Sequence, residues 1–344
     1  MLSSNSQPQL LTDENDHHFN GDEGTPLVSV IIPAFNVAQY ISETLASVFA
    51  QIFTDFEVIV INDGSPDSEE LERVLQPYLN RIIYIRQQNR GPSSARNAGI
   101  RRARGCFIAL LDSDDVWLPD YLAQQVGALE AEPSLDLIYA DALLHGEGTR
   151  GGKSFMDLFP SRGPVTLEAL LEQSCVVITS CVVVRRQALI DAGLFDESYY
   201  RSEDFDLWVR LAHRGARLAY QRKVLAKHRM RPESLAADRT RMEQSAIEVY
   251  ENLTRKFELT ALQRRLIETQ IAKYQAGLAL TGGKFALAAG NHEEAAKLLG
   301  RARDLQRDVG QSVLKLQIVL LCLNLAPRAL QRVYQIRERL APST

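Results

Sequence analysis

The chain has 344 residues, of which 45% are hydrophobic and 24% charged, and its formal net charge is −4. These values are typical of a soluble globular protein with one large domain and a smaller one, and they give no reason to expect nucleic acid as a partner. The four cysteines show neither C-x-x-C pairing nor the spacing of zinc ligands, which predicts reduced thiols in a cytoplasmic protein.

The N-terminal residues 1–25 are predicted to form a disordered acidic leader. They contain five acidic residues and no lysine or arginine, and they lack the basic start and long apolar segment of a signal peptide. The adjacent His17 and His18 are interpreted as part of this solvated tail rather than as a metal site.

From Leu27 onward, short apolar runs alternate with amphipathic stretches, a pattern typical of an α/β fold in which helices flank a mostly parallel sheet. Four strands are predicted, at residues 28–33, 56–63, 81–87 and 107–115. Helices are predicted after the first strand, from about Asp67 to before Asn80, and from Pro92 to Gly105, where a proline begins and a glycine ends the helix.

Polar tetrapeptides follow three of these strands: PAFN at 33–36, NDGS at 62–65 and DSDD at 112–115. Each tetrapeptide by itself is an ordinary turn. Ligands of parallel sheets bind beyond the carboxyl ends of the strands, so the placing of all three at strand ends favours a binding site there.

The DSDD turn brings Asp112, Asp114 and Asp115 together with no cation among them. Carboxylates this close repel one another unless a positive charge is supplied, and Mg²⁺ or Mn²⁺ prefers carboxylate oxygen. The sequence has neither the calcium-loop pattern at this turn nor a glycine-rich phosphate loop after a strand. We therefore expect a divalent cation that also binds substrate phosphates.

A further strand is predicted at residues 176–186, and a helix is predicted to begin after Ser202, which is expected to cap it. Glu203, Asp204 and Asp206 in the first turn carry the charge that a helix N-terminus favours. This structural role alone would explain Glu203 and Asp206.

Residues 235–344 are predicted to be helical, because no strand-like run occurs beyond about Pro232. Residues 271–306 resemble a helical hairpin of the tetratricopeptide kind. A single hairpin is not a repeat array, so it is interpreted as a packing module.

The last segment is interrupted by Lys315, Gln317 and Asn324, which makes its apolar run too short to span a bilayer. From Arg301 to the end there are eight basic and three acidic residues. An apolar stripe with basic flanks can lie in a membrane interface. A core helix or an oligomer-forming helix explains the pattern equally well, and both interpretations stay open.

Four motifs together carry a family resemblance: VSVIIPAFN, FEVIVINDGSPD, GPSSARNAGIRRARGCFIALLDSDD and GLFDESYYRSEDFDLWVRLA. Their order and spacing resemble those of the family 2 glycosyltransferases, which have the GT-A fold. The resemblance covers about residues 26–234. It implies a nucleotide-sugar-binding half at 26–115 and an acceptor-side half at 116–234, with segment 141–166 bordering the acceptor site as a lid or a plain loop.

The resemblance also implies roles for individual residues. The donor-binding residues it implies are Pro33, Ala34, Phe35, Asn36, Asp63, Gly91, Arg96, Asn97, Asp112 and Ser113. Asn62 stands where the family often has a second aspartate. Asp114 matches the metal ligand, with His228 as a second candidate and Arg231 and Ser234 near it. Asp204 matches the general base.

The implied activity is that of a metal-dependent, inverting glycosyltransferase. It would use Mn²⁺ or Mg²⁺ to move a sugar from a nucleotide donor, with a UDP-sugar expected, to a glycan or lipid-linked acceptor in surface polysaccharide or glycoconjugate biosynthesis. We expect a cytoplasmic enzyme, with peripheral contact at the inner face of the membrane or oligomerisation through the C-terminal helices as open alternatives.

Two other functions are alternatives to this activity. A sugar nucleotidyltransferase would carry a glycine-rich loop with a lysine or arginine directly after the first strand, and PAFNVAQY lacks one. A catalytically silent homologue acting as a binding or scaffold protein would be expected to have lost a metal or base residue. Asp63, Asp112, Asp114 and Asp204 are all present, which argues against that function.

Overall fold

A computed structural model describes residues 24–146 and 152–340, so the predicted leader lies outside the described residues except for its last two. The chain divides into two compact units, residues 1–230 and 231–344, a few residues before the boundary expected at 234. The elements of the first unit are β1 Val28–Ala34, α1 Ile41–Phe49, β2 Phe56–Asp63, α2 Ser68–Leu75, β3 Ile83–Gln87, α3 Pro92–Arg102, β4 Phe107–Leu110, β5 Val116–Trp117, α4 Tyr121–Ala131, β6 Leu137–Gly146, α5 Phe155–Leu158, α6 Leu167–Glu172, β7 Val182–Arg185, α7 Arg186–Asp191, α8 Glu203–His213 and β8 Leu218–Met230.

The first unit is built on one eight-stranded sheet with the order β3-β2-β1-β4-β7-β6-β8-β5. Strands β1 to β4 are mutually parallel, and Val28 lies opposite both Phe56 and Phe107. This register brings the carboxyl ends of β1, β2 and β4 to one edge of the sheet. The α/β fold with a mostly parallel sheet is thereby confirmed.

Helix α3 packs closely on the sheet because it has a glycine at the contact. A Cβ atom on Gly99 would lie 2.7 Å from Cγ2 of Ile31 in β1 and 2.8 Å from Cδ1 of Ile61 in β2. Both isoleucines are fully buried. The residues that α3 carries are therefore held at a fixed distance from the strand ends.

The strand predicted at residues 176–186 is only partly correct. Residues Thr179–Cys181 form a turn of 3₁₀ helix, and the strand is confined to β7, which is antiparallel to both β4 and β6. The turn provides a hydrogen-bond acceptor for a distant side chain, because the Ser180 carbonyl accepts from the Trp117 indole N–H at 2.7 Å. β-branched composition alone did not reveal this turn.

The second unit consists of helices α9 Arg239–Lys256, α10 Ala261–Ala288, α11 His292–Asp308, α12 Leu314–Leu325 and α13 Pro327–Leu340. No strand occurs in its described residues, 231–340. The turn between α10 and α11 contains Gly290, with a φ of 83°, and Asn291, whose side chain caps α11 by accepting from the Glu294 N–H. Leucines and alanines of α10, α11 and α12 form an apolar cluster of their own.

None of the helices described is long and apolar enough to cross a membrane. All four cysteines are free thiols. Cys175 and Cys181 are buried, whereas Cys106 and Cys322 are exposed.

Candidate active site

The turn after β2 is fixed by Asn62 and Asp63. The Asn62 side-chain amide donates to the Tyr84 hydroxyl and accepts from the Ser65 N–H. Asn62 therefore stabilises the conformation of the turn. Asp63 accepts hydrogen bonds from the N–H groups of Arg90 at 3.0 Å and Gly91 at 2.8 Å. The atom that accepts from Arg90, Oδ1, also accepts from the Gln87 side-chain amide at 2.7 Å, so lone-pair capacity for a ligand is left on Oδ2.

Gly64 lets a second loop approach this turn. Its φ is 62°, and a Cβ atom there would lie 2.5 Å from the backbone nitrogen of Asn89. The NDGS turn and the loop that leads to Gly91 therefore form one wall of the site.

The PAFN segment forms the neighbouring part of that wall. Asn36 has a left-handed backbone, with a φ of 54°, and its N–H donates to the Ser65 hydroxyl at 2.6 Å. Pro33 and Ala34 belong to β1 and are mostly buried, whereas the ring of Phe35 is 41% exposed. An exposed aromatic ring beside polar turns provides a surface on which a nucleotide base could stack.

The DSDD turn is held from three directions. The Asp112 N–H donates to the Ser180 hydroxyl at 3.2 Å, and the Ser113 carbonyl accepts from the Thr44 hydroxyl at 3.0 Å. The Asp112 carboxylate pairs with Arg96 at 2.8 Å. Burial opposes its charge, but the Arg96 guanidinium outweighs this effect and lowers the pKa of Asp112.

Asp115, which the sequence groups with Asp112 and Asp114 as carboxylates expected to attract a cation, is fully buried behind the turn. It accepts from Nδ1 of His228 at 2.8 Å and from the N–H of Arg229 at 2.7 Å. Burial disfavours the charged imidazole, yet Asp115 and its neighbouring aspartates raise the pKa of His228 to about 9. The end of β8 is thereby locked to the DSDD turn.

These residues fit a divalent cation. A carboxylate that accepts from one ring nitrogen of a histidine is the usual support of a metal-bound imidazole, because it leaves the other nitrogen for the metal. Asp115 gives His228 this support, and because the pKa of His228 is raised to about 9, a cation would have to displace the proton from the other ring nitrogen in order to bind there. Within the described residues no three His, Cys, Asp or Glu side chains form a complete metal cluster. Mg²⁺ or Mn²⁺ would therefore also need oxygen atoms from diphosphate and water, as Mg²⁺ commonly does.

Asp204 lies in the first turn of α8, and its carboxylate accepts from the Thr179 hydroxyl at 2.7 Å. The predicted Ser202 cap is wrong. Ser202 has a left-handed backbone with a φ of 57°, and its side chain makes no capping hydrogen bond. A serine caps a helix only with an extended backbone, so contacts of Glu203 and Asp204 take over in fixing the helix start.

Arg96 and Asn97 lie behind the wall rather than open to it. The Arg96 guanidinium is buried between Asp112 and Glu203, and the Glu203 contact is 2.6 Å. The Asn97 amide both donates to and accepts from the backbone of Phe195. The sequence did not predict the contacts of Glu203, Thr179 or Ser180, since all three depend on packing between distant segments.

The remaining predicted residues are more dispersed. Arg231 and Ser234 follow β8 and belong to the second unit. In segment 141–166, residues 147–151 lie outside the described residues, and α5 follows them. The rings of Phe155 in α5 and His228 are nearly perpendicular, with 6.3 Å between the centroids. One end of this segment therefore contacts the DSDD side of the site.

Comparison with known proteins gives the class to which this fold and site belong. The sequence profile of the family described as glycosyl transferase family 2 matches residues 29–193. A protein of Rickettsia prowazekii (strain Madrid E), described as an uncharacterized glycosyltransferase, is 32% identical over 242 residues, which are 67% of this chain and 70% of that protein. The chain belongs to glycosyl transferase family 2.

More specific relatives and solved structures agree with this family. The amylovoran biosynthesis glycosyltransferase AmsB of Erwinia amylovora is 29% identical over 214 residues, 59% of this chain and 69% of that protein. Residues 1–349 of S. aureus TarS, in complex with UDP-GlcNAc, superimpose with a TM-score of 0.60 at 20% identity and cover 91% of both chains. The mannosyltransferase PcManGT of Pyrobaculum calidifontis, in complex with GDP-Man and Mn²⁺, has a TM-score of 0.57 at 19% identity and covers 91% of this chain and 86% of its own. These likenesses confirm the GT-A fold.

Proposed function

We propose that the chain is an inverting glycosyltransferase that moves a sugar from a nucleotide donor to a glycan or lipid-linked acceptor during surface polysaccharide or glycoconjugate biosynthesis. The observation that carries this proposal is the convergence of the PAFN, NDGS and DSDD turns at one sheet edge, with Asp204 tied to the same region through the Thr179–Cys181 turn. The named role of AmsB supports the polysaccharide setting, and the TarS complex supports a UDP-sugar.

In this proposal the donor occupies the wall formed by the turns after β1, β2 and β4. Phe35 would face the base, Asp63 would accept from it, and Asp112 would accept from a ribose hydroxyl. Arg96 holds Asp112 charged, which favours that acceptor role. The other donor-binding residues would position the nucleotide mainly through the shape of the turns.

Asp204 is proposed as the general base. An acceptor hydroxyl has a high pKa, so a carboxylate within hydrogen-bond reach must take its proton as it attacks the anomeric carbon. Attack from the face opposite the leaving diphosphate inverts the configuration. Asp114 and His228 would hold Mn²⁺ or Mg²⁺, which when bound neutralises charge that develops on the diphosphate.

Thermal unfolding with UDP, GDP and dTDP, each with and without Mn²⁺, tests the donor site. A nucleotide at a hundred times its dissociation constant adds about 2.7 kcal/mol to the free energy of unfolding. We expect one nucleotide to raise the midpoint by several degrees in wild type only with Mn²⁺, and not in Asp114→Asn. No shift with any nucleotide would contradict the proposal.

We also propose that the C-terminal helices contact the anionic inner face of the membrane. Leu314, Ile318, Leu321 and Leu325 lie on one side of α12 by their spacing, and all four are exposed. The described side chains of residues 309–335 include three basic and no acidic ones. Apolar side chains with basic neighbours favour binding to anionic lipid.

Flotation with phosphatidylglycerol vesicles tests this membrane contact. Leu321→Ser combined with Ile318→Ser should abolish binding, whereas Leu262→Ser, an exposed leucine on α10, should not. Wild type that binds no vesicles but self-associates, together with a double variant that does not self-associate, would contradict membrane binding. The exposed apolar side of α12 would then contact a second copy of the chain.

A further inference from the structure

Arg96 is placed as a bridge between two functional segments. Its guanidinium donates to Asp112 beyond β4 at 2.8 Å and to Glu203, the first residue of α8, at 2.6 Å. Only 7% of the Arg96 side chain is exposed. A guanidinium that is buried and bonded in two directions has little surface left for a donor nucleotide, so its contacts point to a role within the protein.

The start of α8 depends on such contacts. Ser202 enters the helix with a left-handed backbone and supplies no cap, a conformation that persists only where the surroundings hold it. Among the contacts that restrain the first turn are those of Arg96 with Glu203 and of Thr179 with Asp204. Thr179 is followed by Ser180, which accepts from the Asp112 N–H. Both contacts thus connect α8 to the Asp112 strand end.

Helix α3 holds the segment that precedes α8 as well. The Ser93 hydroxyl donates to the Tyr199 carbonyl at 3.1 Å, and Asn97 bonds the backbone of Phe195. Because Gly99 fixes the distance of α3 from the sheet, the helix gives Arg96 a rigid base. Arg96 is therefore well placed to set the position of α8 relative to β4.

We propose that Arg96 is a positioning residue that, through Glu203, fixes the proposed base Asp204 relative to the Asp112 side of the donor site. This inference rests on the proposed function. A general base displaced by about 1 Å can cost a hundredfold in rate, because proton transfer needs close alignment. Arg96 acts through its two partners and need not touch the donor.

The charges allow a clean test. One guanidinium is shared by two carboxylates, so removal of Glu203 leaves Arg96 and Asp112 as a neutral pair. Glu203→Ala breaks the bridge, whereas Glu203→Gln keeps an oxygen that can accept from Arg96. Asp206→Ala is a matched control, since Asp206 is a buried acid in the same helical turn whose arginine partner is Arg210.

The first measurement is the dissociation constant and the rate of hydrolysis of UDP-GlcNAc or GDP-mannose, whichever binds wild type. In Glu203→Ala we expect hydrolysis to fall tenfold to a hundredfold with the dissociation constant within threefold of wild type. Hydrolysis by Glu203→Gln should stay within threefold of the wild-type rate, and hydrolysis by Asp206→Ala should equal the wild-type rate. Wild-type hydrolysis by Glu203→Ala, or a loss of donor affinity instead of turnover, would overturn the proposal.

Hydrogen exchange gives a second measurement that needs no activity. The Asp206 N–H donates to the Ser202 carbonyl, so its exchange reports on the first turn of α8. In Glu203→Ala its rate should rise at least tenfold, with the amides of β1 and β4 unchanged. Unchanged exchange would overturn the positioning role. Raised exchange in a protein that binds neither these two nucleotide sugars nor UDP, GDP or dTDP would instead refute the proposed function while leaving the Arg96 bridge in place.

Discussion

Neighbouring aspartates of the DSDD turn differ in what they can do. Asp112 is paired with Arg96, and Asp115 is fully buried and bonded to His228 and the Arg229 backbone. Asp115 has no access to substrate, so its effect is to orient the imidazole. Asp114 lies between them in the chain and is the carboxylate that we assign to the cation.

At the residue scale the first prediction concerns the base. Asp204→Asn keeps the shape of the side chain and a group that can contact Thr179, but it cannot accept a proton. Transfer should fall by about 10²- to 10⁴-fold while the donor dissociation constant stays within threefold. Isothermal titration and a nucleotide-release assay measure the two quantities. The exposed Asp191→Asn serves as the control, and an active Asp204→Asn would exclude Asp204 as the base.

The second residue-scale prediction concerns pH. Burial raises the pKa of Glu203 to about 7, against the opposing attraction of Arg96. Between the ordinary pKa of glutamate and this value the folded protein holds a proton that the unfolded chain releases. Stability therefore falls as pH rises through that window, by roughly 2–4 kcal/mol.

Glu203→Gln removes this titration. The free energy of unfolding of the variant, minus that of wild type, should increase from pH 5 to pH 8, because only wild type loses stability over this range. Denaturant unfolding at both pH values measures this difference, and a difference independent of pH would show that Glu203 has no raised pKa in the folded protein.

At the element scale, replacing either of two helical glycines with alanine should change the free energy of unfolding in opposite directions. In α3 a Cβ atom on Gly99 would press against Ile31 and Ile61, whereas Gly127 in α4 has nothing within 4 Å of that position. Gly99→Ala should lower the free energy of unfolding by about 1–3 kcal/mol through overpacking. Gly127→Ala should raise it by about 0.5–1 kcal/mol, because alanine favours the helix. Thermal unfolding of both variants checks the signs, and stabilisation by Gly99→Ala would refute the close packing of α3.

At the scale of the whole molecule, the residues proposed for the donor, the cation and the base all lie in the first unit, whereas Arg231 and Ser234, expected near the cation, lie in the second. Every described residue in the apolar core of the sheet belongs to that unit. A fragment of residues 24–230 should therefore fold and bind the donor nucleotide within about threefold of the full chain. Calorimetric titration of both proteins tests this. Weakening beyond tenfold in a folded fragment would show that the second unit, Arg231 or Ser234 included, contributes to donor binding.

The sequence by itself determined the α/β class, the turns at the strand ends and the first four strands, although the fourth ends at Leu110 and not at Asp115 as predicted. Apolar periodicity and turn residues are local properties, and in a parallel sheet they are enough to predict that 33–36, 62–65 and 112–115 share an edge. The family resemblance added the residues that carry the proposed chemistry.

Only the tertiary structure decided how those residues are supported. Burial of Asp115 against His228, the bridge from Arg96 to Glu203 and the contact of Thr179 with Asp204 each join segments far apart in the chain. The wrong Ser202 cap has the same origin, since distant contacts replace the local one. Which of several acids is a base, a ligand or a support depends on partners that chain folding alone brings within hydrogen-bond distance.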